Sequence, residues 1–274
     1  MNAPALGLFD SGLGGLSVLR AVRAALPQAD LIYFGDNGHI PYGARPLAQV
    51  RGFSHAISRF LADHGARIIV VACNTASAAA LASLRQAPEF AGLPFVGMEP
   101  AVKPAAELTR SGVVGVLATP ATFQGELYAS VVERFAQGVT VVQEVCPGLV
   151  QRIEAGQVDG PQTEAMLRGW LTPMLDQGID TLVLGCTHYA FVIPGIERVC
   201  GPGVRVIDPA PAVARQTARV WERLGFEAAR GQRGRLTYFT SGAPESFEQA
   251  LETLGIERGP VTGVAWDGDH IVEK

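Results

Sequence analysis

Lysine is nearly absent from this chain of 274 residues: its 22 basic side chains are almost all arginine, with lysine only at Lys103 and Lys274. A pyridoxal enzyme needs a lysine for its Schiff base. Lys274 is the last residue and Lys103 lies in the Pro-flanked passage EPAVKPAA, so residue inventory argues against that class. No apolar run approaches the roughly 18 to 20 residues of a membrane span, and the start MNAPALGLFDSGLGG lacks the basic and cleavable regions of a signal peptide. A cytoplasmic location without a membrane partner is therefore expected. Positive charge is also short, and a net charge of -4 argues against broad nucleic-acid contact. Cysteine is sparse: Cys73, Cys146, Cys186 and Cys200 form no CxxC pair, which argues against a disulfide framework or a zinc knuckle. No GxGxxG follows a strand, and there is no Walker loop.

Hydrophobic residues at 48% against charged residues at 18% give ample apolar surface to offset the ordering entropy, so the chain folds. Short Val, Ile and Leu runs alternate with helical patterns, the signature of an α/β protein with buried parallel strands. Strands are expected at residues 5–10, 31–35, 68–72, 95–98, 113–118, 139–145, 181–185 and 204–208, with weaker ones at 236–240 and 263–266. Leu16, Leu19, Val22 and Leu26 recur at helical spacing before Pro27.

One device recurs: an apolar strand runs into small polar residues and then a helix, as in LGLFDSGLGG and VGVLATPATF, or IIVVACNTAS and TLVLGCTHYA. Asp10 and Thr119 lie 109 residues apart, and Cys73 and Cys186 lie 113 apart, which suggests two similar α/β units. The Pro-rich passages EPAVKPAA and DPAPAVA are the expected crossings. Residues 1–98 with 209–274 then form one domain and 99–208 the second, each a three-layer α/β/α unit with a mostly parallel sheet.

Cys73 and Cys186 each end such a strand, the edge at which open α/β sheets bind ligands. A helix N-terminus there is expected to lower a thiol pKa. A single cysteine so placed also reads as an inert packing residue, but two in matched positions favour chemistry. Asp10 and Ser11 open the glycine-rich DSGLGG, which suits an anion and serves equally as a helix cap. His188 reads as a packing residue or as a partner of Cys186, and Glu154 as a solvated carboxylate or a site residue.

In their order, FDSGLGGLSVL, PYG at Pro41, Tyr42 and Gly43, ACNTAS, MEP at Met98 to Pro100 and LGCTHY resemble the motif series of the glutamate racemases, over about residues 6 to 208. The resemblance implies two facing α/β domains with the active site in the cleft between them, no cofactor and no metal, and interconversion of L- and D-glutamate, the latter for bacterial peptidoglycan. It implies that Cys73 takes the α-proton of D-glutamate and Cys186 that of L-glutamate. Asp10 would assist Cys73, while His188 and Glu154 would assist Cys186. Asp10, Ser11, Pro41, Tyr42, Gly43, Asn74, Thr75, Thr119, Thr122, Thr187 and His188 would line the substrate, and a homodimer is left open. The family's Glu-Pro-Gly reads EPAVKPAA here, a change in the crossover. The chain starts a few residues before FDSG, so the extension through which some members sense a cell-wall precursor is not expected.

Racemisation needs a proton to leave one face of a carbon and another to arrive on the opposite face, which two bases on opposing walls can do. Three other readings are compatible with these residues: a racemase of aspartate, hydantoin or another small α-acid; a two-lobed amino-acid-binding protein; and a zinc site of Asp10, Cys73, Cys186 and His188.

Overall fold

The computed structural model describes residues 4–226 and 233–274. Among these residues, eleven strands run in chain order as β1 (Ala5–Asp10), β2 (Asp30–Gly35), β3 (Ala66–Val71), β4 (Phe95–Gly97), β5 (Val113–Ala118), β6 (Thr140–Val145), β7 (Thr181–Gly185), β8 (Arg205–Ile207), β9 (Leu236–Thr240), β10 (Val261–Asp267) and β11 (His270–Glu273). They form a seven-stranded sheet, β11-β10-β9-β2-β1-β3-β4, and a four-stranded sheet, β6-β5-β7-β8. Every pairing is parallel except β10 with β11.

The order β2-β1-β3-β4 repeats as β6-β5-β7-β8. In each, the chain leaves the central strand to one side and then crosses to the other. This reversal splays the connections apart and leaves a crevice beyond the carboxyl ends of β1 and β3, and again of β5 and β7. The larger sheet gains three strands from the segment after the second unit.

Alternation places successive side chains of each strand on opposite faces. Leu6, Leu8, Leu31, Tyr33, Ile68 and Val70 pack with the helices Leu16–Ala25 and Ala210–Arg223. Phe9, Ile32, Phe34, Ile69 and Val71 pack with Leu47–Asp63 and Asn74–Gln86. The smaller sheet does the same, with Leu117, Leu182 and Leu184 on one face and Val114, Val116 and Val183 on the other. Each such side chain contributes about 1.5 to 3 kcal/mol by leaving water, which is why these strands read as unbroken apolar runs.

The expected strand positions hold within two residues at their starts. β3 begins at Ala66, two residues earlier than expected, because its second residue Arg67 is exposed at the sheet margin and broke the apolar pattern. β11 was not expected: HIVE is short, half polar and pairs only at the edge, behind a turn at Gly268 with φ 59°. Among the described residues, no helix is long and apolar enough to cross a membrane.

Candidate active site

The four crevice strands end in the four motifs with chemistry. Asp10 closes β1, Cys73 lies two residues past β3, Thr119 follows β5 and Cys186 follows β7. Cys73 caps the helix Asn74–Gln86, its Sγ accepting from the Ala76 N–H at 3.4 Å. Thr119 caps Pro120–Phe123. After Cys186 the chain takes a 3-10 turn over Thr187–Val192 before the α-helix Ile193–Cys200.

The two crevices face one another and share a buried cavity of about 20 Å³. Cys73 and Cys186 both line it, with Ser11, Pro41, Tyr42, Gly43, Asn74, Thr75, Thr119, Thr187, His188 and Val150. That space holds about one water molecule, so its lining must move to admit an amino acid. Asp10, Thr122 and Glu154 stand behind this lining. Asp10 accepts from Thr187 Oγ1 at 2.9 Å, from the Gly12 N–H at 2.8 Å and from Ser11 Oγ at 3.2 Å. Thr122 supports Thr119, the hydroxyls 3.0 Å apart, and Thr119 meets Thr75 across the cleft at 2.9 Å. Val150 carried a signal: it precedes Glu154 by four residues on the helix Leu149–Glu154 and so shares its face.

Asn74 points to a ligand. It is buried, and among the described residues neither its Oδ1 nor its Nδ2 has a protein partner. An unpaired buried amide costs about 1 to 3 kcal/mol, which a bound molecule offering both a donor and an acceptor recovers.

Glutamate 154 ties the units together. Its Oε1 accepts from the Leu13 N–H and from His188 Nε2, both at 2.6 Å, and its Oε2 accepts from Asn37 Nδ2 at 3.0 Å. His188 turns its other nitrogen, Nδ1, to Cys186 Sγ at 3.8 Å. Two glycines permit this approach. A methyl group at Gly14 would strike the His188 ring and the Thr187 hydroxyl, and one at Gly43 would sit 2.7 Å from Thr119 Cβ.

The two thiols have different charged neighbours, Asp10 beside Cys73 and His188 beside Cys186. Burial pushes the Cys73 thiol well above its usual value, and the Asp10 charge adds to the rise, outweighing the Ala76 N–H. The lowering expected from a helix N-terminus is thus overturned, because a fully enclosed thiolate loses more hydration than the Ala76 and Ser11 N–H groups return. Burial alone would push His188 down, yet its hydrogen bonds to Cys186 and Glu154 and their charges hold it well above the ordinary imidazole range. It therefore stands as an imidazolium donating to Glu154 and facing the Cys186 sulfur. Burial raises the Asp10 carboxyl, against the pull of His188 and of the Gly12 and Thr187 donors.

No three His, Cys, Asp or Glu side chains converge as metal ligands among the described residues, so the zinc reading lacks a ligand set. A larger hollow of about 720 Å³ lies at the opposite, amino-terminal edge of the large sheet, beside Asp30, His64, Arg67 and Arg235. Among the described residues, its lining holds neither cysteine nor an unpaired buried polar group.

The sequence pattern of the Asp/Glu/Hydantoin racemase family matches residues 16–217. The chain is 48% identical over 256 residues to a glutamate racemase of Roseiflexus sp. (strain RS-1), covering 93% of each. Its fold resembles the crystal structure of a glutamate racemase isoform from Bacillus anthracis, with TM-score 0.84, 31% identity and 97% and 98% of the two chains covered. It also resembles a Francisella tularensis glutamate racemase in complex with D-glutamate, with TM-score 0.83, 28% identity and 97% and 98% coverage.

Proposed function

The chain belongs to the Asp/Glu/Hydantoin racemase family, and on that footing we propose that it interconverts L- and D-glutamate by proton transfer between the substrate and two thiols, Cys73 and Cys186. The observation that carries the assignment of the thiols is their placement: equivalent crevices of two like sheets, opening onto one buried cavity. The same reading divides the chain into 1–98 with 209–274 and 99–208, and gives the D-glutamate a role in peptidoglycan synthesis.

With L-glutamate bound, the Cys186 thiolate, facing the His188 imidazolium, takes the α-proton. The resulting carbanion receives a proton on its other face from Cys73, which burial keeps as a thiol. The turnover leaves Cys186 as thiol and Cys73 as thiolate, the state that runs the reverse reaction. Each sulfur must come to about 3 to 3.5 Å from the carbon, so the two stand roughly 7 Å apart across it. The Asn74 amide and the Thr75, Thr187 and Ser11 hydroxyls bind the amino acid, and the N-terminus of the helix Asn74–Gln86 stabilises its carboxylate as negative charge develops.

Purified protein given L-glutamate is expected to lose optical rotation to zero without added pyridoxal phosphate or metal. Glutamate should exceed aspartate at least about a hundredfold in kcat/KM, because an acid one methylene shorter leaves buried donors unpaired. Comparable kcat/KM for the two acids would overturn the choice of glutamate, and a constant rotation with both would overturn the racemase reading.

A further inference from the structure

Glutamate 154 belongs to the smaller unit, yet two of its three hydrogen-bond donors, the Leu13 N–H and Asn37 Nδ2, come from the larger one. Both other bonds, from Leu13 and His188, end on Oε1. The terminal torsion of a glutamate is broad and nearly two-fold, so a carboxylate held through one oxygen can still turn about its last bond. The bond from Asn37 to Oε2 stops that rotation.

Asn37 is itself fixed. It opens the 3-10 turn Asn37–His39 after β2, and its Oδ1 accepts from Thr240 Oγ1 at 3.0 Å. Thr240 is fully buried at the end of β9, and its oxygen accepts from the Gly242 N–H at 3.1 Å, which leaves its own hydrogen for Asn37. This settles the orientation of the amide: only with Oδ1 toward Thr240 and Nδ2 toward Glu154 are both ends satisfied. A chain of contacts therefore runs from Thr240 through Asn37, Glu154 and His188 to the Cys186 sulfur, crossing from one unit to the other at Asn37.

We infer that Asn37, set by Thr240, is a positioning residue for the Cys186 base: its amide locks the plane of Glu154 and so aims His188. The inference rests on the proposed racemase reading and deepens it, because the base facing L-glutamate takes its alignment from a residue of the opposite unit.

The test must separate alignment from mere loss of packing. The two enantiomers are equal in energy, so kcat/KM must fall equally in both directions whatever is damaged. Isotope effects carry the distinction. Asn37→Ala is expected to lower kcat/KM about 10- to 100-fold, the range for a hydrogen bond to a charged group. The effect of α-deuteration on kcat/KM should rise for L-glutamate, whose proton Cys186 removes, and fall for D-glutamate, whose proton Cys73 removes. Thr240→Val should shift both in the same directions by less, and Thr240→Ser should restore wild-type values. Thermal melting followed by circular dichroism establishes that each variant is folded, and Thr240→Val carries the test if Asn37→Ala is not. Isotope effects that stay at their wild-type values, or that change equally for both enantiomers, would overturn the positioning role. A wild-type protein that does not racemise glutamate would instead remove the underlying reading before any variant is made.

Discussion

Alanine at position 186 is expected to leave a folded protein whose racemisation of glutamate is slower by roughly 10² to 10⁴-fold, the usual contribution of a catalytic acid or base. Cys73→Ala should do the same, because a proton must both leave and arrive in every turnover and neither wall can serve alone. Both side chains are small and buried, at 5% and 7% exposure, so truncation removes little packing. Serine should be nearly as damaging at either position, since an unactivated hydroxyl is a far weaker base than a thiolate. The two remaining cysteines are the control. Cys200 lies at the end of the helix Ile193–Cys200, and Cys146 sits in the core of the smaller unit, where burial pushes its thiol far above the usual range. Cys146→Ala and Cys200→Ala should retain near-normal turnover. A chiral assay of the four purified variants checks this, and a Cys186→Ala protein near the wild-type rate would show that the second base lies elsewhere.

The next largest effect is expected from Glu154→Gln, and it depends on pH. His188 is held up by Cys186 and Glu154, and it also faces Asp10, whose own carboxyl burial raises. Removing the Glu154 charge lets the imidazolium lose its proton at lower pH. The high-pH limb of the kcat/KM profile should then move to lower pH, with a loss of about 10²-fold at pH values where the wild type is still protonated. Stability follows the same sign. The folded value of His188 lies above its unfolded value near 6.5, so its contribution is complete below about pH 6.5 and disappears as pH rises through the folded value. The melting-temperature gap between wild type and Glu154→Gln should be widest in mild acid and narrow as pH rises through the folded value of His188. A gap that widened with pH would contradict the imidazolium.

How much of this could be read beforehand depended on whether a residue announces itself locally. Strands β1, β5, β7 and β9 match their expected bounds, because they carry apolar side chains on both faces and end abruptly at polar motifs. Edges were harder: β11 offers only Ile271 and Val272 as apolar residues, and its pairing exists because Gly268 turns the chain back. The two cysteines stood out through their matched strand ends. Asn37 and Thr240 had no such mark, since what they do arises from side-chain bonds to residues 117 and 203 positions away in sequence. The sign of the Cys73 shift was not legible either. The cap was visible in CNTAS, but the burial that outweighs it comes from tertiary packing, Cys73 lying in one apolar cluster with Phe9, Tyr42 and Val71.

Racemisation in heavy water tests the two-base account most directly. Wild-type protein given unlabelled L-glutamate in deuterium oxide is expected, at early times, to form D-glutamate carrying deuterium at the α-carbon, while the remaining L-glutamate stays largely unlabelled. The α-proton leaves to Cys186 on one face, and a solvent-derived deuteron arrives from Cys73 on the other. Early incorporation of deuterium into both enantiomers would mean that one base removes and returns the proton, and would contradict the opposed thiols.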